Sequence, residues 1–113
     1  MSKRDTQLLL EDMIDAANKI SRYTEGMDYL HFVNDDKTID AVARNFEIIG
    51  EAANRLGSDF REKHSEIEWN RIRGFRNRIV HHYFGIDYEI VWAIIQNDLD
   101  SLKNQLVDLV DSQ

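Results

Sequence analysis

Residues 36–57 read DKTIDAVARNFEIIGEAANRLG, and their apolar positions recur at helical spacing. The recurring positions are Ile39, Val42, Phe46, Ile49, Ala53 and Leu56. Steps that alternate between three and four residues place all of them on one face of an α-helix, a pattern typical of a buried seam. We therefore predict a long helix that Asp36 caps at its start and that ends at Gly57.

Comparable apolar stripes lie on both sides of this helix in the chain. They predict a first helix from about Asp5 to Thr24, followed by Gly26 as a C-cap, a further helix over residues 68–82, and a last helix capped by Asp87. Asp59 and Glu62 have the spacing of a capping box and predict a short helix. No stretch alternates with a period of two over a strand's length, so no sheet is expected.

These elements predict an all-α, up-and-down antiparallel bundle of four to five helices. The chain has 113 residues, about the length of one domain, so residues 1–113 are expected to form a single helical domain. A monomer of this size buries only about two-thirds of the surface that its unfolded chain exposes. A homodimer would relieve that shortage and is expected.

The composition limits the cellular compartments and the classes of function that are expected for the chain. Cysteine is absent, which removes disulfides, thiolate chemistry and cysteine-type zinc sites and fits a reducing cytoplasm. No apolar run approaches about 18 residues, and residues 1–5 lack the apolar stretch of a signal peptide. A cytoplasmic protein with no membrane partner is therefore expected. The net charge of −7 argues against nucleic-acid binding through bulk charge.

One segment departs from this acidic character. Between Trp69 and Ile86 there is no carboxylate, but there are two histidines and four arginines, namely Arg71, Arg73, Arg76 and Arg78. Arginines on a helix usually form only a solvated face. Because counter-charges are missing here, the segment predicts a local binding site for an anion.

The spacing within this segment suits phosphodiester chemistry. Arg76 is followed after four residues by His81, and Tyr83 comes two residues later. RNA can cleave itself when its 2′-hydroxyl attacks the adjacent phosphate. A histidine can transfer protons near neutral pH, and the planar fork of an arginine matches phosphate oxygens. Such a scheme requires no metal and no cofactor.

Helical geometry leaves the arrangement of these side chains open. At about 100° per residue, Arg76 and Tyr83 nearly share a helix face, whereas Arg76 and His81 lie about 140° apart. The arginine could bridge that gap, the helix could end before His81, or Arg76 of one subunit could complete His81 of another. The sequence does not choose between these routes.

The string from Arg76 through Asn77 and His81 to Tyr83 resembles the signature of HEPN ribonucleases, in the Arg-x4-His-x-Tyr form of the HepT-like toxins. Flanking residues extend the resemblance over roughly the middle third of the chain: Ile49-Gly50-Glu51-Ala52, Trp69 with Ile72 and Gly74-Phe75, and Phe84-Gly85-Ile86-Asp87. An isolated Arg-x4-His occurs often by chance, whereas this extended string is specific.

The resemblance implies a toxin of a type VII-like toxin–antitoxin pair. It implies a helical homodimer whose Arg–His motifs face each other across a groove and cleave RNA without metal to leave a 2′,3′-cyclic phosphate. Which RNA is cleaved stays open, with tRNA as one candidate. It assigns Arg76 and His81 as catalytic residues and makes Tyr83 the site at which a minimal nucleotidyltransferase antitoxin adds AMP. Simple occlusion of the groove by the antitoxin is the alternative mode of control.

Several of these residues could instead have purely structural roles. Tyr83 could be a core aromatic that continues the stripe of Ile72, Phe75 and Ile79. Secondary contacts to RNA phosphate are expected from Arg73, Asn77 and Arg78, although Arg73 and Asn77 could instead hydrogen-bond locally.

Other titratable residues give weaker signals. His31 and His64 have no informative neighbours, and His82 is a bystander or a structural residue. Glu47 and Glu51 lie one turn apart, but the chain has no Glu-x-x-His pair, so a metal centre is not expected.

A second function also fits the segment. The chain could be a non-catalytic module that binds a nucleotide phosphate, or a scaffold partner of a nucleotidyltransferase. RNA cleavage by the purified protein separates this hypothesis from the nuclease.

Overall fold

The structure is a computed structural model that describes residues 2–81 and 85–112, with residue 81 described through its backbone alone. Its long helices are α1 (Lys3–Thr24), α3 (Asp36–Arg55), α7 (Tyr88–Asn97) and α8 (Leu99–Asp111). The short ones are α2 (Tyr29–Val33), α4 (Ser58–Lys63), α5 (Trp69–Arg73) and α6 (Phe75–Ile79). Two short strands, β1 (Val80–His81) and β2 (Gly85–Ile86), pair between α6 and α7.

The core forms where α3 packs against α1 on one side and against α5 and α6 on the other. Helix α8 also packs on α1 and completes the bundle. All the positions of the α3 seam are buried, and Val42, Phe46, Ile49 and Ala53 are fully inaccessible. The predicted stripes of the first and last helices are buried as well. The all-α bundle predicted from the sequence is therefore confirmed.

The helix starts follow local capping chemistry, with two corrections. Asp35, not the predicted Asp36, caps α3, because its Oδ1 accepts a hydrogen bond from the Thr38 N–H at 3.0 Å. That hydrogen bond lowers the pKa of the Asp35 carboxyl group. Helix α4 begins at Ser58, so the predicted capping box at Asp59 does not form. The prediction for Asp87 is confirmed, since its Oδ1 accepts from the Ile90 N–H at 3.1 Å.

Two of the predicted helices are each divided in the structure. The predicted helix over residues 68–82 consists of α5 and α6, which meet at Gly74, and α6 ends at Ile79. The predicted last helix consists of α7 and α8, which meet at Asp98. Together with the short α2 and α4, these divisions give eight helical segments in the described parts of the chain where four to five helices were predicted.

A two-residue antiparallel ladder replaces the last turn of the predicted 68–82 helix. Val80 pairs with Ile86, and residue 81 pairs with Gly85. Gly85 has φ +75°, a conformation that glycine adopts without steric cost. The Asp87 N–H also donates to the Ile79 carbonyl at 2.6 Å. Strands of two residues are too short to produce a recognisable alternation of apolar and polar residues in the sequence.

Helix α2 is attached to the bundle through aromatic contacts with α7. Trp92 stacks on Tyr29 with ring centroids 6.4 Å apart and lies 5.2 Å from the ring of Phe32, which is fully buried. Desolvation, together with the nearby carboxylates of Glu89 and Asp87, raises the pKa of Tyr29. Helix α2 therefore lies beside the start of α7. None of the helices in the described residues is both long and apolar enough to cross a membrane.

Gly50 allows α3 to approach α5 closely. A Cβ atom at this position would lie 3.3 Å from the Ile72 carbonyl oxygen and 3.6 Å from that of Arg73. Both obstacles are backbone atoms, so a larger side chain cannot be accommodated by a rotamer change alone. The spacing of the two helices therefore depends on a glycine.

We expect Gly50→Val to lower the free energy of unfolding by about 1–3 kcal/mol through overpacking at this contact. The matched control is Arg44→Val, which introduces the same residue at an exposed position of the same helix and should cost no more than about 0.5 kcal/mol. Urea denaturation of both variants measures the difference. Equal losses in the two variants would contradict the role given to Gly50.

Candidate active site

The arginine-rich segment is held by apolar anchors on its inner face. Trp69, Ile72, Phe75 and Ile79 are buried, and the ring of Phe75 meets that of Phe46 edge-on at 5.3 Å. Because these anchors face the core, most of the intervening polar residues are exposed. Helices α5 and α6 thus place Arg73 and Arg76 beside α3.

An open groove of about 630 Å³ lies between α3 and the α5–α6 pair. It is lined by Glu47, Gly50, Glu51, Asn54, Asn70, Arg73, Gly74 and Arg76. Its volume is within the range of about 300–1,000 Å³ usual for small-ligand sites. One wall carries the arginines, and the opposite wall, from α3, carries carboxylates and an amide.

Arg73 and Arg76 contact the α3 wall through their Nε atoms. The Arg73 Nε–H donates to Asn54 Oδ1 at 3.1 Å, and Arg76 Nε lies 3.6 Å from Glu47 Oε1. The terminal Nη atoms of both guanidinium groups form no hydrogen bond or ion pair with any described residue. Since the Arg76 side chain is 65% exposed, its fork is accessible from solvent. Two guanidinium groups therefore present donors that suit phosphate oxygens.

Arg71 belongs to a different environment. Its Nη2 lies 2.6 Å from Asp98 Oδ2, at the junction of α7 and α8, and its Nη1 lies 3.3 Å from Glu68 Oε2. Two carboxylates thus neutralise this arginine outside the groove. Arg71 links α5 to the last two helices rather than offering a free cation.

The other two predicted phosphate contacts do not line the groove. Asn77 is exposed on α6, and Arg78 is half-buried. The Nη1 atom of Arg78 is buried and has no hydrogen-bond partner among the described residues. Of the residues predicted for secondary contacts, only Arg73 shares the groove with Arg76.

Helix α6 ends at Ile79, and this end is relevant to the three possible arrangements of Arg76 and His81 that the sequence left open. Residue 81 lies in β1, so the helix ends before it, which is one of the three routes considered from helical geometry. The side chain of His81 is outside the description, as are His82 and Tyr83 altogether. The catalytic role of His81 and the modification of Tyr83 therefore stay predictions.

The sequence pattern did not single out the polar residues of the α3 wall as part of the site. Glu47, Glu51 and Asn54 lie three or four residues apart and so share one face of α3, which is the signal that could have found them. The described residues contain no group of three or more histidine, aspartate or glutamate side chains that could hold a metal ion. The groove is instead a mixed surface with separate cationic and acidic walls.

The family model named "Ribonuclease HepT-like" matches residues 13–109. The chain belongs to the HepT-like ribonuclease family. The match includes α3, the arginine-rich segment and most of the bundle, and the HEPN-type resemblance carried by Arg76, His81 and Tyr83 is thereby confirmed at the level of the family.

Curated relatives of this HepT-like chain agree with the family model. "Putative RNase MJ1380" of Methanocaldococcus jannaschii is 41% identical over 106 residues, which cover 94% of this chain and 97% of the relative. "Probable ribonuclease HepT" of Thermococcus cleftensis is 36% identical over 107 residues, 95% and 97% of the two chains. "Putative RNase TTE0752" of Caldanaerobacter subterraneus is 34% identical over 104 residues, 92% and 93%. No solved structure matches the chain significantly.

Proposed function

We propose that this HepT-like chain is a metal-independent endoribonuclease and the toxin of a toxin–antitoxin pair. The observation that carries the proposal is the pair of arginines, Arg73 and Arg76, whose side chains line a solvent-open groove and whose Nη atoms have no partner among the described residues. The names of the relatives, which describe ribonucleases, support RNA as the substrate.

In the proposed reaction, RNA supplies its own nucleophile. The 2′-oxygen attacks the adjacent phosphorus, the bond from phosphorus to the 5′-oxygen breaks, and a 2′,3′-cyclic phosphate and a 5′-hydroxyl result. His81 takes the 2′-proton or protonates the leaving 5′-oxygen. Arg76 binds the phosphate and stabilises the extra negative charge of the phosphorane, and Arg73 holds a neighbouring oxygen or phosphate. The protein needs no cofactor for these steps.

Glu47 is the partner of Arg76 in this proposal. Its carboxylate lies 3.6 Å from Arg76 and 3.9 Å from Arg44. A phosphate that binds Arg76 through the Nη atoms need not displace this contact, because Glu47 approaches the Nε edge. The ion pair then orients the fork toward the groove. The orientation lowers the entropy that Arg76 loses when it binds substrate.

Homodimerisation is the second element of the proposal. Two facing copies would bring two arginine pairs to one RNA strand, which increases the attraction that an acidic chain can exert on a polyanion. The small size of the chain supports association on general grounds, because a larger interface compensates for a small core.

The third element is control by a minimal nucleotidyltransferase antitoxin. AMP added to the hydroxyl of Tyr83 would place bulk and a negative phosphate two residues from His81. Both effects oppose binding of the substrate phosphate at the same motif. The antitoxin would thus inactivate the toxin through the same electrostatics that bind RNA.

We expect Arg76→Ala to reduce RNA cleavage by about 10²–10³-fold, because it removes a charge that stabilises the transition state. Arg71→Ala is the matched control, since it removes the same charge from outside the groove and should keep the rate within a few-fold. Initial rates on total RNA and tRNA, with circular dichroism to verify folding, measure both. Equal loss in the two variants, or none in Arg76→Ala, would contradict the assignment.

Absence of cleavage by the folded wild type would favour the non-catalytic nucleotide-binding module.

Co-expression with the antitoxin and intact-mass measurement test the mode of control. We expect the neutralised wild-type toxin to gain the mass of one or more AMP groups and Tyr83→Phe to gain none. Peptide mapping should place the added mass on Tyr83. An unmodified tyrosine in a fully neutralised complex would instead indicate occlusion of the groove.

A further inference from the structure

The groove beside Arg76 has two walls of opposite charge. Arg73 and Arg76 form the cationic wall, and Glu47 and Glu51 stand on the α3 wall. A phosphate is attracted by the first wall and repelled by the second. The α3 wall therefore suits a neutral part of a nucleotide that carries hydrogen-bond donors, which is the edge of a nucleobase.

Glu51 is the carboxylate of this wall for which the described residues provide no partner. Glu47 is already engaged by Arg76 and Arg44, whereas Glu51 is exposed and forms no ion pair or hydrogen bond with any residue in the described ranges. With respect to the described residues, both oxygens of Glu51 are thus open to a ligand. An ionised carboxylate only accepts hydrogen bonds, so its partner must present donors.

Asn54 adds a donor next to that acceptor. Arg73 Nε has only a hydrogen to give, so the Asn54 oxygen must face it, as the 3.1 Å contact shows. The amide nitrogen of Asn54 is therefore directed away from Arg73, and no described residue accepts a hydrogen bond from it. Because Glu51 and Asn54 are three residues apart on α3, their side chains are neighbours on one helix face.

A donor beside two acceptors matches one base better than the others. The Watson–Crick edge of guanine presents the O6 acceptor followed by the N1–H and N2–H donors. Asn54 can donate to O6, while the two oxygens of Glu51 accept from N1 and N2. Uracil offers only one donor between two acceptors, and adenine and cytosine place an acceptor opposite a carboxylate oxygen.

We infer that Glu51 and Asn54 form a guanine-binding subsite, which selects RNA with a guanosine next to the phosphate held by Arg73 and Arg76. This inference rests on the proposed ribonuclease function and names its substrate preference. Binding of the base on the α3 wall and of the phosphate on the α5–α6 wall would use both charges of the groove at once. The acidic wall would also reject strands that enter the groove with a phosphate against it.

Cleavage of short oligoadenylates that contain a single guanosine, cytidine or uridine tests the subsite. We expect the wild type to cut beside the guanosine about tenfold faster than at the other linkages, a preference of the size that one bidentate base contact gives. Glu51→Gln should reduce this ratio to near unity. Glu62→Gln, which changes an exposed carboxylate of α4 outside the groove, should leave the ratio as in the wild type.

The same variants are compared for binding of 5′-GMP and 5′-AMP by NMR titration, a measurement that does not depend on cleavage. Several-fold tighter binding of 5′-GMP by the wild type, lost in Glu51→Gln, supports the subsite even if no RNA is cut. Cleavage without guanosine preference, or a preference that survives Glu51→Gln, overturns the subsite and leaves the ribonuclease intact. If no RNA is cut, the ribonuclease proposal fails, and equal affinity for the two nucleotides then overturns the subsite as well.

Discussion

The close contact between Gly50 and the backbone carbonyls of Ile72 and Arg73 is the constraint on which the site depends. It lets α3 lie against α5 with no side chain between them at this point. The edge-on contact between Phe46 and Phe75 fixes the next turn. As a result, side chains from the two sides meet across the groove, Arg73 with Asn54 and Arg76 with Glu47. The packed core thus sets the position of the two guanidinium groups.

The distribution of carboxylates decides which arginines can bind an anion. An acidic chain with a net charge of −7 repels RNA over most of its surface, so binding must be local. Asp98 and Glu68 neutralise Arg71, which becomes a link between helices. Arg73 is held by a neutral amide and forms no ion pair with a described carboxylate. The exposed side chain of Arg76 contacts one carboxylate of the described residues, that of Glu47. Charge pairing therefore distinguishes Arg71, which links helices, from the candidate phosphate ligands Arg73 and Arg76, although the three look alike in the sequence.

Much of the fold could be predicted from apolar spacing. A helix that packs on the core with one face carries apolar residues at every third or fourth position, and this pattern can be read from its own sequence. The seam from Ile39 to Leu56 is buried throughout, as its spacing predicts. The end of α6 could not be predicted in this way, since Ile72, Phe75 and Ile79 continue the helical period up to the break. What ends the helix is a ladder with Gly85 and a hydrogen bond from Asp87, and neither leaves a periodic signal.

The candidate site was predictable to a similar degree. A segment without carboxylates pointed to four arginines, of which Arg73 and Arg76 line the groove, whereas Arg71 and Arg78 do not. The α3 wall was not predicted, because Asn54 is 19 residues from Arg73 in the chain and amides carry no charge pattern. Tertiary packing alone brings these residues together. The roles of His81 and Tyr83 rest on the motif, and both side chains lie outside the described part of the molecule.

Cleavage of RNA in EDTA by the wild-type protein and by His81→Ala, with analysis of the new ends, tests the central claim most directly. The account predicts that the wild type alone cuts, and that it leaves 2′,3′-cyclic phosphate and 5′-hydroxyl ends. A metal-independent nuclease would be contradicted if EDTA abolished cleavage or if the new RNA termini carried a 5′-phosphate. Undiminished cleavage by His81→Ala would contradict the role of this histidine.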